Sequence, residues 1–108
     1  MKLVELVNYF RHGGSYEEFC QSESIDLESE VIEIYMRKPF NLDNNLAFFE
    51  IEKTEGNIEF IFDSEKYFNL FDFYYFLDVI KESNNSKNKS LTDREIASRL
   101  LSYSINDA

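Results

Sequence analysis

The sequence contains one histidine and one cysteine, His12 and Cys20, eight positions apart. A nucleophilic cysteine needs a histidine in contact with it, and spacing along the chain neither requires nor forbids that contact. His12 precedes the Gly13-Gly14 pair, whereas Cys20 falls on the apolar side of a predicted helix. We therefore expect a surface histidine and a core thiol rather than a catalytic pair.

Motifs for cofactors and metals are missing from the sequence. There is no phosphate-binding, dinucleotide-binding, zinc-protease or serine-hydrolase signature. The oxygen-rich run Asp43-Asn44-Asn45 lacks the glycine and the bidentate acid of an EF-hand, and zinc would need more Cys or His. The sequence predicts no cofactor, no metal and no enzymatic activity.

Carboxylates are the residues that could form a functional surface. Glu50 and Glu52 alternate with apolar residues, as do Glu59 and Asp63, so the acids of a predicted hairpin share one face. Clustered carboxylates repel one another, and a cationic partner would relieve the repulsion; a solvated sheet face is the alternative. The predicted partner-binding residues are Glu30, Glu33, Glu50, Glu52, Glu55, Glu59 and Asp63.

The negative charge is distributed unevenly along the chain. There are 21 acidic and 11 basic residues, a net charge of −10. Residues 12–65 hold 14 acids and 3 bases, a net of −11, so the remainder carries +1. This sign disfavours nucleic acid and anionic membranes and favours a basic protein partner. A charge that serves only solubility is the other interpretation.

The length of 108 residues predicts one globular domain over residues 1–108. Cys20 has no intramolecular disulfide partner, which favours a reducing compartment. Residues 1–11 lack the apolar core of a signal peptide, and no apolar run is long enough to span a membrane. We expect a cytoplasmic protein; its oligomeric state is not predicted.

Helical periodicity over residues 2–11 predicts a first helix, and an S-x-x-E capping box at Ser15 predicts a second. Residues 30–37 alternate with period two and are assigned to a strand, although the run is ambiguous with a helix. Residues 46–53 and 57–63 are predicted to pair as a hairpin.

The predicted hairpin turn is Thr54-Glu55-Gly56-Asn57, followed by a long, mostly apolar helix over residues 65–82 capped by Ser64. Residues 83–90 are a predicted loop, and a second capping box at Thr92 opens the last helix. The predicted fold is α+β: two N-terminal helices, a small antiparallel sheet of about three strands with a hairpin, then two C-terminal helices.

The chain resembles the small acidic immunity proteins of bacterial toxin–immunity systems, in particular those of contact-dependent growth inhibition. The likeness covers the whole chain and lies in size, acidity, aromatic richness, a lone cysteine, and the runs 46–52 and 69–77, LAFFEIE and NLFDFYYFL. It implies a cytoplasmic protein that occludes one cognate toxin, commonly a nuclease with a basic cleft, and it implies no catalytic residues.

Two other functions are compatible with the sequence. One is a nucleic-acid mimic that inhibits a restriction or CRISPR effector through the same acidic surface. The other is a non-catalytic adaptor or structural subunit whose charge serves solubility. Binding that is insensitive to salt would favour the adaptor, because screening weakens a charge-driven interface.

Overall fold

A computed structural model describes residues 1–85 and 89–107 of the chain. The predicted α+β class is confirmed. In chain order the described elements are α1 (Leu3–Arg11), α2 (Tyr16–Ser22), β1 (Ile32–Met36), β2 (Leu46–Glu50), α3 (Ile51–Thr54), β3 (Glu59–Phe62), β4 (Glu65–Asp72), α4 (Phe73–Ser83) and α5 (Asp93–Asp107).

The two N-terminal helices form as predicted. The apolar positions of α1 are all buried, which follows from their spacing on one helical face: Leu3, Leu6, Val7 and Phe10. Gly13 has a φ of 90°, a left-handed conformation that stops the helix without steric cost. Ser15 Oγ then accepts from Glu18 N at 3.3 Å and caps α2.

The sheet is antiparallel, with the strand order β2-β1-β4-β3. The ambiguous run 30–37 is a strand, β1, and lies between β2 and β4. Every residue of β1 is buried, because helices cover one face of the sheet and the rings of Phe49 and Phe60 pack against Tyr35 on the other. The sheet has four strands rather than about three.

The predicted hairpin between residues 46–53 and 57–63 is wrong. β2 ends at Glu50, residues 51–54 form the one-turn helix α3, and β2 and β3 lie at opposite edges of the sheet. The hairpin is β3–β4 instead, closed by Asp63 and Ser64 with φ of 52° and 65°. Positive φ at both turn positions matches the twist of a two-residue hairpin. Gly56 has a positive φ, but it follows α3.

The predicted helix over residues 65–82 is also wrong in its first half. Residues 65–72 form β4, so Ser64 is a turn residue, and the helix α4 begins only at Phe73. Its cap is Asp72, whose Oδ1 accepts from Tyr75 N at 2.8 Å. A run of apolar residues fits a central strand as well as a buried helix, and β4 is a central strand.

The last helix, α5, begins with the predicted capping box. Thr92 Oγ1 accepts from Glu95 N, and Glu95 Oε1 accepts from Thr92 N, both at 3.1 Å. Arg11 on α1 holds this end of α5 through its guanidinium, which lies 3.2 Å from Asp93 Oδ1. Residues 86–88 of the predicted loop lie outside the described residues.

The main core lies between the helices and one face of the sheet. It contains Leu6 and Phe10 from α1, Ile34 from β1, and Phe73 and Phe76 from α4. The opposite face of the sheet carries a separate set of aromatic side chains. No helix among the described residues is long and apolar enough to cross a membrane.

Candidate protein-binding surface

The face of the sheet turned away from the helices is strongly concave. In a flat sheet β2 and β3 would lie three strand spacings apart, about 14 Å. The ring of Phe49 on β2 is nevertheless only 4.8 Å from Phe60 and 5.4 Å from Phe62, both on β3. The sheet therefore curls until side chains of its two edge strands touch.

The curl forms a groove of about 320 Å³, which we call the aromatic groove. The rings that line it are Phe48, Phe49, Phe60, Phe62 and Tyr67, and Lys53 also lines it. Phe49 is buried, whereas Phe62 is half exposed. Aromatic rings with one exposed side are common where proteins bind other proteins, because they bury a large area with little loss of side-chain entropy.

A buried carboxylate supports the base of the concave face. Glu33 is 7% exposed, so it is not part of an accessible acidic surface, contrary to the sequence prediction. Its Oε2 accepts from Asn69 Nδ2 at 2.8 Å, and its Oε1 accepts from the hydroxyl of Thr54. The hydroxyl of Tyr35 donates to the carbonyl oxygen of Asn57. The network joins β1, β4 and the end of α3.

The outer strand β3 exposes apolar side chains. Ile58, Ile61 and Phe62 are 70%, 66% and 51% exposed. These are three of the eight large hydrophobic residues that are exposed in the described part of the chain, and all three fall within five consecutive positions. A patch of this kind on an edge strand marks an interaction surface more often than an isolated exposed side chain does.

Glu50 and Glu52 hold a loop rather than project freely. The ammonium of Lys53 lowers the pKa of Glu50, and the backbone N–H of Asp26 lowers it further at 2.9 Å. The hydroxyl of Ser29 lowers the pKa of Glu52, followed by the backbone N–H of Glu30. Both carboxylates therefore fasten residues 26–30 to the end of β2.

The other predicted acids lie at separate places. Glu30 is exposed beside Glu52 at the start of β1. Glu55 is exposed at the left-handed end of α3. Glu59 lies on β3, 3.9 Å from Lys66 Nζ, and Asp63 lies in the hairpin turn. The seven predicted residues do not form one face; only Glu55, Glu59 and Asp63 border β3 closely in sequence.

The histidine and the cysteine lie in unrelated surroundings. His12 is exposed, and its Nδ1 lies 2.8 Å from the carbonyl oxygen of Asn8. Cys20 is buried, and burial raises the pKa of its thiol while a hydrogen bond with Tyr16 opposes the shift. Within residues 1–85 and 89–107 no three His, Cys, Asp or Glu side chains are grouped to hold a metal ion.

Sequence reasoning missed the apolar part of this surface. Ile58, Phe60 and Phe62 alternate with polar or exposed positions, and this pattern alone favours a face that packs within the domain. The missing information was the position of β3 at the sheet edge, which depends on pairing with β4.

Comparisons with protein-family models, with curated proteins and with solved structures found no match.

Proposed function

We propose that this protein is an immunity protein, which binds a cognate cationic toxin domain of the nuclease class and covers its active site. The observation that carries the proposal is the combination of exposed apolar side chains and a local excess of acids around β3. Residues 55–65 contain four acids and no base, and the same stretch includes Ile58, Ile61 and Phe62.

A nuclease must present Lys and Arg to the phosphates of its substrate, so its active-site cleft is positively charged. Carboxylates near β3 would meet the same side chains and exclude the nucleic acid. Such an interface would associate quickly at low salt and more slowly as ions screen the charges. The apolar side chains of β3 would be desolvated at its centre and would slow dissociation.

Within this proposal the contacting acids are fewer than the sequence predicted. Glu33 is buried and serves folding. Glu50 and Glu52 have hydrogen-bond partners in the loop 26–30, so they serve the fold as well. Glu59 and Asp63 are exposed and lie on the β3–β4 hairpin. We assign the rim of the interface to these two residues.

The test is a protection assay in growing cells. The protein is co-expressed with the toxin domain encoded beside its own gene, and survival is measured. The double variant Glu59→Lys, Asp63→Lys should lose protection by at least about a hundredfold in survival, since charge reversal at a partner contact costs several kcal/mol.

The matched control is Glu17→Lys with Asp78→Lys, which changes the net charge equally at exposed positions on α2 and α4. Both double variants should keep their circular dichroism spectra, because the changed side chains are exposed. Lysine at the positive φ of Asp63 costs about 1–2 kcal/mol, which is less than the stability of a typical domain. Full protection by the β3 double variant, equal loss in the control, or toxicity unaffected by the unaltered protein would contradict the proposal.

A further inference from the structure

The outer side of β3 presents backbone groups that no strand of the described chain pairs with. The carbonyl oxygen of Ile58 accepts from Asn69 N at 2.8 Å, so the backbone of residue 58 faces β4. Backbone direction alternates along a strand, so Phe60 and Phe62 also face β4. Glu59 and Ile61 therefore direct their N–H and C=O groups away from the sheet.

β3 is short and carries one charged residue, Glu59, but it lacks the other devices that protect natural edge strands. Lys, Pro and bulges are the common devices against pairing with another chain. Residues 58–62, Ile-Glu-Phe-Ile-Phe, contain neither Lys nor Pro. The other edge strand, β2, differs, because at its start Leu46 N donates to the carbonyl oxygen of Met1 at 2.7 Å.

The two rows of side chains on β3 differ in character. Ile58, Phe60 and Phe62 point to the concave side, where Phe60 and Phe62 line the aromatic groove. Glu59 and Ile61 point to the other side. A strand added beyond β3 would place its own side chains in the same two rows, one extending the apolar row and the other beside Glu59.

Charge decides between the possible occupants of this edge. A second copy of the chain would bring another four acids of residues 55–65 against the first four, and Lys66 and Arg37, which pair with Glu59 and Glu65, offset only part of this charge. Like charges brought together across an interface cost several kcal/mol. A cationic strand would meet the same carboxylates favourably.

We propose that the partner docks by adding one extended segment to the outer edge of β3, hydrogen-bonded to Glu59 and Ile61. Apolar residues of that segment extend the row of Ile58, Phe60 and Phe62, and alternating Lys or Arg residues lie beside Glu59. This inference deepens the proposed function and rests on it for the positive charge of the partner. Strand addition gives affinity through the main chain and specificity through alternate side chains.

The probe is a synthetic peptide of alternating lysine and valine, blocked at both ends and about ten residues long. A peptide of equal composition with paired residues, Lys-Lys-Val-Val, is the matched control, because it destroys the period of two. Backbone amide exchange of the ¹⁵N-labelled protein is followed by NMR. At about 1 mM alternating peptide we expect exchange at Glu59 and Ile61 to slow at least tenfold.

The amides of Phe60 and Phe62 already face β4 and should change little. Ile61→Pro removes one outward N–H and should abolish the protection of Glu59, since proline is tolerated where an edge N–H faces solvent. Ile61→Thr keeps the N–H and should retain most of the effect. Thermal unfolding of both variants checks that the sheet is intact.

Three results would overturn the inference. One is failure of the backbone test, shown either by unchanged exchange at Ile61 with the alternating peptide or by full binding of the peptide to a folded Ile61→Pro variant. The second is equal protection by the paired-residue peptide, which would show attraction by charge alone. The third is protection without peptide together with a dimer in sedimentation, which would assign the edge to a second copy. If the protein still protects cells from the toxin in any of these cases, the proposed function is retained and only the proposed docking mode is refuted.

Discussion

Replacing Glu33 with alanine tests the polar network beneath the concave face. The carboxylate is 7% exposed and accepts hydrogen bonds from Thr54 and Asn69. The hydroxyl of Tyr35 is also 3.5 Å from Glu33 Oε1, but its single proton is donated to the closer carbonyl oxygen of Asn57. Glu33→Ala therefore removes two hydrogen bonds, those from Thr54 and Asn69.

Each hydrogen bond to a charged acceptor contributes about 1.5–3 kcal/mol net, so two contribute about 3–6 kcal/mol. Part of this is offset, because alanine removes the cost of burying a carboxylate. We expect Glu33→Ala to lower the free energy of unfolding by about 3 kcal/mol.

Glu33→Gln is the matched control, because it keeps the shape of the side chain. Its carbonyl oxygen still accepts from Thr54, and Asn69 can rotate its amide to accept from the new N–H, so we expect a loss of about 1 kcal/mol. Urea unfolding at neutral pH, followed by circular dichroism, measures both variants. A double-mutant cycle of Glu33→Ala with Thr54→Val should give a coupling of about 1–2 kcal/mol.

A Glu33→Ala variant within about 0.5 kcal/mol of the parent would refute this reasoning, since that is the effect expected at a solvated surface position. A coupling near zero with Thr54 would refute the assignment of the hydrogen bond even if the variant were unstable. The first outcome would return Glu33 to the accessible carboxylates that the sequence predicted.

Three further predictions concern stability and reactivity. Phe73→Ala should cost about 3–5 kcal/mol in urea unfolding because Phe73 is 1% exposed, while Phe68→Ala should cost only about 1–2 kcal/mol since Phe68 is half-buried. Because burial raises the pKa of the Cys20 thiol, a disulfide reagent should modify the folded protein at least about a hundredfold more slowly than the unfolded chain; equal rates would contradict its burial. A hydrogen bond from the Asn8 amide, together with Arg11, lowers the pKa of Asp93, so its contribution is complete above the unfolded value and is lost as the pH falls through the lower folded value. Asp93→Asn should therefore cost about 1–2 kcal/mol at neutral pH and progressively less below about pH 4.

Elements whose signal is local could be predicted from the sequence. The buried face of α1, the Ser15 cap of α2 and the capping box of Thr92 each depend on residues within one or two turns of helix. Local hydrogen bonds and a single periodicity determine them, so no knowledge of the remaining fold is needed.

Strand pairing could not be predicted in the same way. The run 65–72 is apolar enough for a buried helix, and only its position between β1 and β3 makes it a strand. The Asp63-Ser64 turn is a weaker hairpin signal than Asn-Gly, so the sequence pattern favours a hairpin turn at Gly56 instead. A hairpin between residues 46–53 and 57–63 would place β3 beside β2, whereas β3 lies at the opposite edge of the sheet.

Whether an acid is free at the surface or holds the fold together also depends on partners that are distant in the sequence. Alternation with apolar residues correctly suggested exposed carboxylates at Glu59, but Glu50 and Glu52 bind backbone N–H groups more than twenty positions earlier. Reversing their charge would release residues 26–30 as well as change the electrostatic surface, so loss of protection in that variant would not locate the interface. Glu59 accepts no backbone hydrogen bond among those described, and its ion pair with Lys66 is long, at 3.9 Å. Charge reversal at Glu59 therefore separates binding from folding, because it alters the field beside β3 while the hydrogen bonds of the sheet are preserved.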